Sequence, residues 1–99
     1  MPKIGDRVGA VLKTTSDTVE LIGYGTYAGD EIPHDKVAFM GGFLREIKRP
    51  NPKIQLDSGQ NVFGCECWWG PEKEVKKIIG DRSIIGVDID KLRCSMEGT

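Results

Sequence analysis

Four side chains in this 99-residue chain can be written as a zinc set: Cys65 and Cys67, separated by one residue, with Cys94 and His34. Structural zinc sites more often carry two close pairs with two to four residues between the ligands, so the spacing favours small thiols buried in a core. Nothing in the sequence brings His34 beside a thiol, and a Cys/His nucleophile is not expected. Asp88 and Asp90 alternate along a β-like run, and Glu66 is a further carboxylate. Together they could serve a small metal-dependent hydrolase or nuclease, although no motif supplies the remaining ligands that Mg²⁺ needs. The glycines of Gly23-Tyr24-Gly25 do not open a helix, so a phosphate-cradling loop is absent. No catalytic residue, metal ligand or cofactor is assigned, and an enzyme is the less favoured class.

Aromatic side chains are the stronger signal. Tyr24, Tyr27, Phe39, Phe43, Trp68 and Trp69 fall in a few neighbouring stretches. Tyrosine and tryptophan anchor recognition by stacking or by filling a pocket, but they also make small cores. Trp69 takes the core role by phase. The expected binding set is Tyr24, Tyr27, Phe43, Arg45, Glu66 and Trp68, with Arg45 or Lys48 placed to meet an anion.

These residues need strands to position them. In Asn61-Val62-Phe63-Gly64-Cys65-Glu66-Cys67-Trp68-Trp69-Gly70, period two puts Phe63, Cys65, Cys67 and Trp69 on one face, with Val62, Gly64, Glu66 and Trp68 on the other. A dry core accepts Glu66 only if it finds a partner, which makes the second face the candidate surface. Residues 53–56 alternate, and Asp57-Ser58-Gly59-Gln60 supplies a hairpin turn. Pro71, the acidic Glu72 and Glu74, the basic Lys76 and Lys77, and Gly80 mark a helix with Val75, Ile78 and Ile79 on one side.

Residues 7–13 and 18–28 read as a first pair of strands, with Gly23 and Gly25 removing side chains where the strand bends or another group approaches. Residues 83–90 read as a final strand exposed on one side. Between them, the connection over residues 29–51 is long for so small a domain. Its Val37, Phe39, Met40, Phe43, Leu44 and Ile47 are too apolar for free solvation; Asp35 suits a helical cap and residues 43–48 an added strand. They are expected to pack on the domain or on a second copy.

The predicted fold is mainly β: a small SH3-like barrel of five antiparallel strands with one short helix between strands four and five. An α+β roll or OB-like barrel is the alternative. The domain covers residues 1–92, and residues 93–99 form a flexible tail.

A hydrophobic content of 38% and a net charge of −1, from 14 basic and 15 acidic residues, imply one modest core and no field for a polyanion. Nucleic acid is an unfavoured partner. With no apolar run long enough for a bilayer, no leader and reduced cysteines, a cytoplasmic location is expected.

Residues 57–72 and 23–31 resemble stretches of short proteins from tailed phages and prophage-bearing bacteria. That resemblance covers most of residues 4–90 and brings no activity or site residues with it. The expected function is a non-catalytic, self-associating binding module that presents its aromatic and acidic face to a protein partner. The resemblance implies a phage accessory protein acting on a host or defence component in the host cytoplasm. A nucleotide-like small molecule is the alternative ligand.

Overall fold

The computed structural model describes residues 2–33 and 48–97; for residues 96 and 97 it describes the backbone alone. The expected helical cap at Asp35, the added strand and the apolar packing of residues 37–47 lie outside the described residues.

Six strands form a mostly antiparallel sheet: β1 (Arg7–Thr14), β2 (Thr18–Glu31), β3 (Asn51–Leu56), β4 (Asn61–Phe63), β5 (Trp68–Pro71) and β6 (Ser83–Gly86). Their hydrogen-bonded order is β4-β3-β2-β1-β5. β6 adds to β2 in parallel, Thr18 facing Ser83 and Glu20 facing Ile85. Two helices complete the described fold, α1 (Glu72–Ile79) and α2 (Ile89–Glu97). No helix is long and apolar enough to cross a membrane among the described residues.

The long strand β2 organises the sheet. Along one edge it pairs with β1; along the other it meets β6 near its start and β3 near its end. The shift in β1–β2 register between Ala10 and Val11 coincides with Gly23, whose φ is 152°. Such a bulge moves the following side chains to the opposite face. Leu21 and Tyr24 consequently pack on one side of the sheet, Ile22 and Tyr27 on the other. At Gly25 a Cβ would stand 2.2 Å from the Gln55 carbonyl oxygen, so β2 and β3 approach through a missing side chain.

Both faces of β1 are covered. Val8 and Ala10 join Ile22, Ile54, Leu56, Val62 and Ile89 in the larger core, whereas Val11 packs with Val19, Val75 and Ile79 beneath α1. A Cβ on Gly9 would lie 2.9 Å from Cγ2 of Val75, which lets the helix sit directly on the strand.

Several expectations hold. Leu56 donates its amide to the Gln60 carbonyl at 2.8 Å across the β3–β4 turn, and Gly59 adopts φ 95° there. The helix stops at Gly80, which has φ 46° and donates its amide to the Lys76 carbonyl.

Other expectations need correction. The run predicted as one fourth strand is broken by a 3₁₀ turn at Gly64–Glu66, because the Glu66 carboxylate folds back to accept the Phe63 amide at 2.9 Å. The interruption gives six strands instead of five and puts the 3₁₀ turn between β4 and β5, with α1 following β5. The final strand ends at Gly86 and is parallel to β2. Asp88 Oδ1 then accepts the amides of Asp90 and Lys91 and starts α2, so backbone through Glu97 that was expected in a flexible tail is helical.

Candidate functional site

Trp68 and Trp69 illustrate how the β1–β5 ladder sorts side chains. Ala10 faces Trp69 and Val11 faces Trp68. Trp69 consequently packs on the larger core, where its indole stacks on Tyr27 with centroids 5.5 Å apart. Trp68 is directed to the α1 side and is 49% exposed. Its ring lies against Gly70, where a Cβ would stand 3.2 Å from Cη2 of the indole.

The expected binding set divides. Tyr24 faces Gly9 and shares the α1 side of the sheet with Trp68. Val75 is seated over Gly9 on the strand between them, and Lys76 Nζ lies 5.9 Å from the Tyr24 ring centroid. Burial and then the charge of Glu72 raise the Tyr24 phenol above its ordinary pKa. Tyr27 belongs to the opposite face; its hydroxyl donates to Asp30 Oδ1 at 2.6 Å, and that hydrogen bond holds the phenol in its neutral form. Phe43 and Arg45 lie outside the described residues.

Glu66 leaves the expected surface altogether. It is 1% exposed and receives two bonds from Arg93: Nε to Oε2 at 2.9 Å and Nη2 to Oε1 at 2.6 Å. Arg93 is 8% exposed and also donates to the Asn61 carbonyl, tying α2 to β4. The anticipated acidic contribution to the aromatic face is thereby corrected: desolvation makes pairing with a guanidinium the stable arrangement for this carboxylate. Sequence reasoning missed Arg93. Its signal was the spacing of Ile89, Leu92 and Arg93, one helical face with a cation at its far end.

Asp88, Asp90 and Cys67 are engaged in the fold, while Cys94 is exposed. Gln60 Nε2 donates to Asp88 Oδ1 at 3.1 Å and Asp90 Oδ2 at 2.9 Å, occupying with an amide the position a shared cation would take. Glu66 is held separately by Arg93 and does not join them. Cys67 lies with its sulfur 3.7 Å from the Phe63 carbonyl, and burial followed by the charge of Glu66 pushes its thiol up to about 12. Among the described residues, no three His, Cys, Asp or Glu side chains converge as metal ligands, and His34 lies outside those residues.

A cleft of about 640 Å³ opens where β1 begins and β5 enters α1, lined by residues including Pro2, Arg7, Pro71, Glu72 and Lys73. Arg7 is not a free anion receptor there. It grips Asp57 in two bonds of 2.8 and 2.7 Å and approaches Glu72 at 3.7 Å. The cleft is therefore electrostatically mixed, and it begins next to Gly70, on which the Trp68 ring rests. The chain matches no family model, no curated protein and no solved structure.

Proposed function

We propose that this protein is a non-catalytic binding module whose β1–β5 form an SH3-like barrel, and that Trp68 anchors a protein partner. The β1–β4 meander, the 3₁₀ turn after it and the return of β5 to β1 support the barrel reading. The observation carrying the function is the half-exposed indole of Trp68 on a strand already fixed by pairing with β1. A large aromatic positioned in this way loses little further freedom on association. Tyr24 extends the same face, while Tyr27 and Glu66 support the fold. The sequence resemblance supports the setting of this reading, a phage accessory protein meeting a host component in the host cytoplasm.

The test compares affinity capture from host lysate by the wild type and by Trp68→Ala, with circular dichroism confirming the fold of both. An anchoring tryptophan contributes about 2 kcal/mol or more, so recovery of the specific partner falls roughly 30-fold or further. Equal recovery with the variant would refute the anchor. Tight binding of a nucleotide, without a Trp68-dependent protein partner, would replace this reading with the small-molecule alternative.

A further inference from the structure

We infer that the outer edge of β6 receives a second copy of this chain, antiparallel, about a two-fold axis beside Ile85. The inference is independent of Trp68, which lies on β5. Ser83 donates its amide to Asp17 and Val87 to Leu21, so alternation turns the backbone groups of Ile84 and Gly86 away from β2. Nothing among the described residues pairs with that edge. Ile84 is 54% exposed and Ile85 49%, one on each face of the strand. The edge carries no proline, lysine or bulge of the kind that blunts strand addition.

The strand is complementary to itself. With Ile84 opposite Gly86 of the second copy, Ile85 meets its own counterpart on the axis, and two Ile84–Gly86 pairs each exchange two backbone hydrogen bonds. A Cβ on Gly86 would meet nothing within 4 Å, leaving space beside which the opposing Ile84 can settle. Pairing Ile84 with itself would instead oppose Ile85 to Ser83 and Arg82 to Gly86. A net charge of −1 produces little repulsion between copies. Two half-exposed isoleucines and a four-residue edge fall short of the roughly 800 Å² per partner of a standard interface, so the dimer is concentration-dependent.

Sedimentation velocity from about 10 μM to about 1 mM reads this association, a range suited to a small interface. The expected wild type passes from monomer to dimer, and Ile85→Lys raises the dissociation constant about tenfold or more by opposing two ammonium groups across the axis. A second measurement fixes the register. In a Cys94→Ser background, Ile85→Cys should cross-link between copies under diamide about tenfold faster than Ile84→Cys, because residues facing across a non-hydrogen-bonded pair approach to about 4.5–5.5 Å at Cβ. A monomer throughout the range, association unchanged by Ile85→Lys, or equal cross-linking by the two cysteine variants would overturn the assignment. Binding of an extended peptide at β6 without self-association would also overturn it.

Discussion

Replacing Glu66 by alanine strands the Arg93 guanidinium in a nearly dry site. Two short charge-assisted bonds disappear, leaving the Asn61 carbonyl and Asp90 Oδ1, 3.6 Å from Nη1, as the neighbouring acceptors. Removing one member of a buried ion pair costs about 3–5 kcal/mol, against about 5–15 kcal/mol of total stability for an ordinary domain. At about 4–8 °C of Tm per kcal/mol for a domain of this size, the melting point should fall by at least ~12 °C. Urea unfolding of Glu66→Ala, Glu66→Leu, Arg93→Met and the double variant Glu66→Leu/Arg93→Met measures the balance, the last three closing a cycle. Each single variant should be strongly destabilised, whereas the double variant should lose less than the sum of the two, because apolar side chains avoid desolvating a lone charge even though the bonds to the Phe63 amide and the Asn61 carbonyl are lost. A single-variant cost below about 1 kcal/mol, the range of an exposed pair, would refute the reasoning. Simple addition of the two losses in the double variant would refute it as well.

Two further perturbations test other parts of the fold. Gly9→Ala forces a methyl group against Val75 and should cost about 1–3 kcal/mol; in a Val75→Ala background the penalty should shrink, and equal penalties would exclude that contact as its cause. In acid, hydrogen bonds from Arg7 lower the Asp57 pKa, while the Lys91 amide, Gln60 and the Asp90 amide lower that of Asp88. Both groups bind fewer protons folded than unfolded near pH 4, so their stabilisation is present above that pH and lost as pH falls through the folded pKa values. Urea midpoints between pH 6 and pH 2 should decline less steeply for Asp57→Asn than for the wild type; identical acid limbs would rule out this contribution.

The parts legible in the sequence are those governed by neighbours. Residues 57–60 carried their hairpin in Gly59, and α1 was bracketed by Pro71 and Gly80. The alternate placement of Trp68 and Trp69 followed from period two because β5 itself is regular. The candidate site was harder to read because its other members depend on distant contacts. The Gly23 bulge changed the phase of β2 between Leu21 and Tyr24, so Tyr24 packs with Leu21 beneath α1 and Tyr27 with Ile22 on the other face, the reverse of what an unbroken alternation gives. Glu66 broke its strand by folding back onto Phe63, and its partner Arg93 came from a segment whose polar composition resembles a tail. No local pattern could join those two residues; burial did.

The parallel pairing of β6 with β2 also has a consequence for synthesis. Ribosomes deliver the chain from its N-terminus, so β1 through β5 are all available before β6 has emerged. Until it arrives, the outer edge of β2 at residues 18–21 lacks the strand that covers it in the finished fold. Closing the long intervening loop carries an entropic cost before those last contacts offer any return. During that interval the nascent protein has its hairpins within reach but keeps a strand-sized opening in its sheet, where a neighbouring nascent chain can intrude.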